Sequence, residues 1–377
     1  MVKVLHVLPG GKYFGGTERY LYNYYKYMDR NHVHFDFLFG IANSMSIVEK
    51  DEVMKDSDFI ELGAIKGEDN TFAEWYKYFV ELKKYVKNYS YDYIEIQTAS
   101  ILVLTISIMA VKNSKTNIIA HAHSIINKPK NIKQKIIFCL CRNYLNWNCN
   151  YIFSCSDLAA TELFGKNTLK KHNYFKIPNA INMEAFLYDP KERREIRDKY
   201  GISEDTIVVG HVARLSLEKN QEFLVKVFGK IYESNSKVLL WIIGDGDMRE
   251  HLIKAVNELN LSNNVVFWGE RSDISSYLQA MDIFVVPSFN EGLCISAIES
   301  QIAGLPTFVS DGVPDECNIT GSFYKIALEK SEDEWASIIL DKYHSLNGRT
   351  EKERMVTSDY DIKKSSADLE RFYLEHV

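Results

Sequence analysis

The sequence predicts an α/β protein of two doubly wound, Rossmann-like domains in tandem, facing across a cleft. Three observations predict it. Short β-branched or aromatic runs alternate with helical patterns along most of the chain, as in parallel sheets covered on both faces. The same opening, a strand, a loop and a helix, occurs at residue 2 and again at residue 207. The 377 residues are about two domains' worth of chain, and 46% apolar against 25% charged residues can fill two cores.

The first half opens with an expected strand Val2–Leu8, a Gly-rich loop and a helix from about Thr17. Further strands are expected at His34–Phe39, Tyr93–Ile96, Asn117–His121, Tyr151–Ser154 and Phe175–Ile177. The second half opens with strand Ile207–His211, a loop holding Arg214 and Lys219, and a helix from about Asn220. Its further strands are expected at Val238–Ile243, Val265–Trp268, Ile283–Val286 and Thr307–Val309. The linker is placed between Pro178 and Pro190, before a charged helical stretch, Lys191 to Tyr200. The expected domains are residues 1–183, on the acceptor side, and residues 184–360, on the nucleotide side. The segment 361–377 has helical character and is expected to pack back on the first domain.

Composition excludes several classes. A formal net charge of −6 argues against a general nucleic-acid binder. Six cysteines without a Cys-x-x-Cys pair suit reduced thiols, not zinc or a disulfide framework. The N-terminal apolar run reads as a strand, not a signal peptide, because a Gly-rich turn follows it. The greasiest run, Ile101 to Val111, is far short of the roughly 18–20 residues that span a bilayer. A cytoplasmic chain is expected, either soluble or held peripherally on the cytoplasmic face of the inner membrane.

Three familiar nucleotide or hydrolase motifs fail. Gly11-Lys-Tyr-Phe-Gly-Gly16 has the gap of a P-loop, but Thr17 stands where the phosphate-clamping Lys belongs. Gly244-Asp-Gly246 follows a strand, yet Arg249 occupies the third glycine of a dinucleotide fingerprint. No Gly-x-Ser-x-Gly element occurs.

Two other segments carry chemistry. Ligands of open α/β sheets bind at the carboxyl ends of strands. Arg214 and Lys219 lie in the loop after strand Ile207–His211, at a helix N-terminus whose N–H groups and dipole favour anions. An arginine fork and a lysine point charge together suit two adjacent phosphates; alone, they would also suit a solvated loop. The second segment follows strand Ile283–Val286. Leu293 to Ile302 reads as a buried helix with Glu291 at its mouth and Glu299 about two turns on, near the same face. Gly292 would let a ligand approach the backbone. An acid inside an apolar helix needs a partner, and sugar hydroxyls would supply one; a satisfied structural carboxylate is the other reading of Glu299.

Arg214…Lys219, Gly244-Asp-Gly246, Val265 to Asp273, Asp282 to Ser288 and Glu291-(x7)-Glu299 together resemble the retaining GT-B glycosyltransferases of the glycogen-synthase-like fourth family, glycosyltransferases group 1. Gly15-Gly16-Thr-Glu-Arg, His121-Ala-His123-Ser, Ser154-Cys-Ser-Asp157 and Ile177 to Asn182 extend the resemblance over nearly the whole chain. It is strongest to bacterial enzymes of capsular and exopolysaccharide biosynthesis. The resemblance implies transfer of a hexose-type sugar from a nucleoside-diphosphate sugar, a UDP-sugar first, to a glycan or lipid-linked saccharide. It implies no cofactor beyond that co-substrate and no metal. Arg214 and Lys219 would bind the diphosphate and stabilise the departing charge. Glu299 would take the ribose hydroxyls; Glu291, with the backbone of Gly292 and Leu293, would take the donor sugar. Gly15 and Gly16 would approach the diphosphate, Gly244 would line the donor site, and Arg271 would line the base. Either His121 or His123 would reach the sugar or the reaction centre.

Two rival readings use the same fold: a sugar-nucleotide 2-epimerase, and a catalytically silent nucleotide-sugar-binding subunit. Finally, residues 128–142 alternate lysines with apolar residues. As a helix this segment would suit peripheral contact with anionic lipid, or an ordinary amphipathic packing role.

Overall fold

A computed structural model of the chain describes residues 1–9, 16–41, 54–65, 70–98, 100–112, 115–123, 129, 131–346, 349 and 359–377. The elements run β1 (Val2–Leu8), α1 (Gly16–Tyr27), β2 (Val33–Ile41), β3 (Phe59–Ile65), α2 (Phe72–Asn88), β4 (Tyr93–Gln97), α3 (Ile101–Val111), β5 (Asn117–Ala122), α4 (Ile132–Asn148), β6 (Tyr151–Ser154), α5 (Asp157–Phe164) and β7 (Tyr174–Lys176). They continue as α6 (Pro190–Lys199), β8 (Ile207–Val212), α7 (Gln221–Ser234), β9 (Val238–Ile243), α8 (Arg249–Glu258), β10 (Val265–Gly269), α9 (Ile274–Ala280), β11 (Ile283–Val286), α10 (Ile295–Ile302), β12 (Thr307–Ser310), β13 (Phe323–Ile326), α11 (Glu332–Ser345) and α12 (Ile362–Glu375).

The chain divides into two units. The N-terminal unit holds Met1–Ile181 together with Asp359–Val377; the C-terminal unit holds Asn182–Ser358. The N-terminal sheet has the order β3-β2-β1-β4-β5-β6-β7, every neighbouring pair parallel. The C-terminal sheet has the order β10-β9-β8-β11-β12-β13, again parallel throughout. Strand order therefore reverses between β1 and β4 in one unit and between β8 and β11 in the other. These crevices are where doubly wound sheets take ligands. The edge strands β3 and β13 were not among the strands expected from the sequence.

Period-2 alternation builds a core on each side of the N-terminal sheet. Leu5, Val7, Ile94, Ile96, Ile118 and Ala120 face one layer, which the apolar faces of α2, α3 and α5 complete. Val4, Leu8, Phe35, Phe37, Tyr93 and Ile119 face the other, against Tyr20, Leu21, Tyr24 and Tyr25 of α1 and Leu369, Phe372 and Tyr373 of α12. The last helix of the chain is thus part of the first unit's core. In the C-terminal unit, Val209, Leu240, Ile242 and Val285 pack under Leu224, Phe228 and Ile231 of α7 and Trp335 of α11.

Candidate functional site

The basic loop and the carboxylate converge in the C-terminal unit, because β8 and β11 flank its switch point. Lys219 Nζ donates to both oxygens of Glu291, at 2.6 and 2.7 Å. Ser288 Oγ donates to Glu291 Oε1 at 2.7 Å. Glu291 is 7% exposed and Lys219 24%, so this charge-assisted pair is partly shielded from water.

Backbone bonds clamp the two loops together. Phe289 N donates to Glu218 O at 2.9 Å, and Glu291 N to Gly312 O at 3.0 Å. Asn220 stands at the start of α7 in the left-handed region, φ 54°, which asparagine tolerates better than most residues. Its side chain does not cap α7 but donates to Pro287 O at 3.1 Å, tying the helix to the end of β11. No side-chain cap is made to the first turn of α7, so its leading N–H groups keep the anion-binding character of a helix N-terminus.

Arg214 is exposed, and its guanidinium has no hydrogen bond or ion pair among the described residues. Its backbone is held firmly. Gln221 Nε2 donates to Arg214 O at 2.9 Å. The same amide reaches buried His211 Nε2 at 3.3 Å, while His211 Nδ1 donates to Val285 O at 2.8 Å. Burial lowers the His211 pKa to about 4, against the opposing pull of the Val285 carbonyl and with the help of Lys219. This neutral histidine stitches β8 to β11 beneath the loop.

Gly244 supports the loop from the other side. Its φ is +127°, and a Cβ there would stand 2.0 Å from Ala213 O. Next to it, Leu215 N donates to Asp245 O at 2.9 Å. The glycine pair thus lets β9 approach the backbone that presents Arg214. An Asp-x-Asp pair, Asp245 and Asp247, lies in this turn; the Asp245 carboxylate caps Gly246 N at 2.8 Å and lies 3.6 Å from Arg249.

The helix after β11 differs from the sequence expectation. It starts at Ile295, not Leu293. Glu291, Gly292 and Leu293 are extended or bent chain, so Glu291 and Glu299 are not related by helical spacing. Glu291 is anchored by Lys219 and Ser288; Glu299 sits half-buried in the second turn of α10. Gly292 and Leu293 are half-buried as well. Arg271 is exposed and lies over the Trp268 and Tyr277 rings, 5.7 and 5.3 Å from their centroids.

In the N-terminal unit, Gly15 lies outside the described residues, and Gly16 opens α1. His121 and His123 flank the end of β5. Their rings stack at 3.9 Å with an interplanar angle of 24°. His121 Nδ1 meets Glu95 Oε1 at 2.6 Å, and His123 Nε2 meets Gln97 Oε1. Burial lowers the pKa of His121 to about 3 and that of His123 well below the usual range. Neither Glu95 nor Gln97 was singled out from the sequence. The signal was present: in Tyr93-Ile-Glu-Ile-Gln97, alternation puts Tyr93, Glu95 and Gln97 on one face of a strand buried on both.

The sequence segment 128–142 forms the start of α4 for its described part. Ile132, Ile136, Ile137 and Leu140 are exposed, as is Trp147 further along. Its apolar residues thus point outward as much as its lysines do. Among the described residues, no helix is long and apolar enough to cross a membrane.

Tandem doubly wound units, with a cationic loop and an anchored carboxylate at the second unit's switch point, define the GT-B class. The comparison with solved structures agrees: HepE from Anabaena, solved in complex with UDP, superposes over 100% of both chains with a TM-score of 0.76 at 16% identity. Residues 192–347 match the family Glycosyl transferases group 1. EpsF of Bacillus subtilis (strain 168), whose own glycosyltransferase assignment is provisional, is 26% identical over 98% of this chain and 96% of its own length. An Escherichia coli enzyme named as a UDP-Gal:alpha-D-GlcNAc-diphosphoundecaprenol alpha-1,3-galactosyltransferase is 29% identical over 41% of each chain. The chain has a GT-B fold, and its C-terminal unit is similar to the group 1 glycosyltransferases.

Proposed function

We propose that the chain transfers a hexose from a UDP-sugar to a lipid-linked saccharide or growing glycan of a bacterial surface polysaccharide, with retention at the anomeric carbon and without a metal ion. The carrying observation is the switch-point arrangement of the C-terminal unit. Arg214 is unpaired among the described residues, on a loop fixed by Gln221 and Gly244, beside the uncapped N-terminus of α7. Departure of UDP is the demanding step, and preorganised cations and N–H groups stabilise its developing charge. The acceptor oxygen bonds to the anomeric carbon on the face the phosphate leaves, the C–O bond to the phosphate breaks, and the hydroxyl proton passes to a phosphate oxygen. Lys219 trades part of its contact with Glu291 for the diphosphate, freeing carboxylate lone pairs for sugar hydroxyls. Glu299 holds the ribose, Arg271 the base, and the histidine pair a hydroxyl of a reacting sugar. A relative named for UDP-Gal and a diphosphoundecaprenol acceptor, and a structural neighbour solved with UDP, support a UDP donor and a lipid-linked acceptor. The exposed apolar stripe of α4 between its lysines supports peripheral attachment to the cytoplasmic face of the membrane.

The test is a thermal-shift screen of UDP-, GDP- and ADP-sugars in EDTA. A ligand at about 100 times its Kd stabilises the native state by about 2.7 kcal/mol. UDP-sugars should raise the melting temperature and release UDP on adding acceptor. No shift with any UDP-sugar, or a strict need for divalent metal, would refute the proposal. Appearance of an epimer from donor alone would favour the 2-epimerase.

A further inference from the structure

The face of the N-terminal sheet that packs on α1 and α12 carries a row of polar side chains under the chain's own last helix. His6 on β1 is in register with Glu95 on β4, and Gln97 on β4 with His121 on β5. The Glu95 carboxylate is wholly buried and accepts three hydrogen bonds of 2.6 Å, from Gln97 Nε2, His121 Nδ1 and the Tyr373 hydroxyl of α12. His6 Nδ1 lies 3.9 Å from it. Tyr20 of α1 sets its ring edge-on to both histidines, and Cys155 Sγ donates to His123 O at 3.1 Å.

With Glu95 as a carboxylate, the donor and acceptor inventory gives the following assignment. An ionised carboxylate only accepts, so His121 carries its proton on Nδ1 and keeps a lone pair on Nε2. The Gln97 amide gives its two N–H groups to Glu95 and to His6 Nδ1, at 2.6 and 3.2 Å. Its oxygen therefore accepts from His123 Nε2–H, which leaves a lone pair on His123 Nδ1. His121 Nε2 and His123 Nδ1 are buried and make no close hydrogen bond; the side-chain amide of Asn179, whose Oδ1 is also unsatisfied, lies beside His123.

We infer that Glu95 is a positioning residue: anchored by Tyr373 and relayed through Gln97, it fixes the tautomers of both histidines so that each offers a lone pair. This rests on the proposed role of the histidine pair at a reacting sugar. Two neutral, stacked acceptors take an O–H donor, the hydroxyl of a sugar, and disfavour a phosphate oxygen. Burial that holds His121 at about 3 and His6 at about 4 keeps these two imidazoles neutral at neutral pH.

The experiment is nitrogen-15 NMR of the histidine-labelled full chain, paired with steady-state UDP release from the UDP-hexose that turns over fastest. The wild type should show His121 as Nδ1–H and His123 as Nε2–H. Glu95→Ala removes the acceptor; His121 should move to the Nε2–H form and kcat should fall about 10- to 100-fold with the donor KM within about threefold. Glu95→Gln can turn its amide oxygen to His121 and its NH2 to the Tyr373 oxygen. It should keep the tautomers and hold kcat within about threefold. A wild-type His121 in the Nε2–H form overturns the inference, whether or not Glu95→Ala folds. So does a changed tautomer with unchanged kcat, which would leave the transferase reading intact. Absence of turnover with every UDP-hexose would instead refute that reading, and the wild-type spectrum would still decide the wiring.

Discussion

Lys219 and Glu291 are separated by 72 residues and bonded twice. The sequence marked both as site residues but gave them separate ligands, since nothing in either segment says that strands β8 and β11 are neighbours. Arg214 behaves differently. It has no partner among the described residues, so its loss removes little from the native state and much from a departing diphosphate. Arg214→Ala should leave the melting temperature nearly unchanged and lower kcat by about 100-fold, the scale of a lost charge-stabilising donor. Transfer within a few-fold of wild type would remove Arg214 from the role. The buried histidines set a pH dependence. His6, His121 and His211 are held neutral with pKa values of about 4, 3 and 4. The unfolded chain takes up their protons below about 6.5, so stability present above that pH is lost as pH falls toward 4. Between pH 7.5 and 4.5 each contributes at most about 2–3 kcal/mol of this loss. Urea unfolding at both pH values measures it; equal stability would show that these histidines titrate freely. Such residues were only partly legible. His121 and His123 stood out as a pair, but His6, Glu95 and Gln97 looked like ordinary strand residues until registration aligned them.

Elements were legible where burial imposes a pattern. Strands β1, β6, β9 and β11, short apolar or aromatic runs, were delimited from the sequence to the residue, because parallel strands covered on both faces need such runs. β3 and β13 lie at sheet edges and were missed, although the other two edge strands, β7 and β10, were expected; charged residues break the apolar runs of β3 and β13. An edge strand is bonded on one side only, so Glu61 in β3 and Lys325 in β13 are tolerated. The start of α10 was read two residues early, since Gly292 to Cys294 are apolar but bend to place Glu291 on Lys219. The α4 surface yields a prediction at this scale. Its exposed Ile136 and Leu140 are one turn apart, flanked by Lys133 and Lys135. The full chain should co-sediment with vesicles containing anionic phospholipid at low salt. The double substitution Ile136→Asp, Leu140→Asp should abolish that binding without lowering the melting temperature. Equal binding by wild type and variant, or none by wild type, would exclude α4 as the attachment face.

At the scale of the molecule, the chain leaves the N-terminal unit after Ile181 and returns at Asp359. The exit and the return are bonded to each other: Ile181 N donates to Tyr360 O at 2.9 Å, and Ile362 N to Ile181 O at 3.0 Å. Beyond this junction α12 buries Ile362, Leu369, Phe372 and Tyr373 against β-strands and α1. At about 1.5–3 kcal/mol per large apolar side chain, these four contribute as much as the net stability of a typical domain, about 5–15 kcal/mol. A chain ending at residue 358 should therefore retain a folded C-terminal unit and lose the N-terminal one. Limited proteolysis should yield a resistant fragment from about Asn182 onward, and resistance of the first 181 residues would contradict it.

The clamp at Ile181 also orders events during synthesis. The C-terminal unit can complete its sheet while the N-terminal unit is still waiting, because α12, which closes the first core, is made only after the whole of the C-terminal unit. The histidine row under that helix stays without the Tyr373 hydroxyl until then. A chain released before α12 is made would lack the hydroxyl that anchors Glu95.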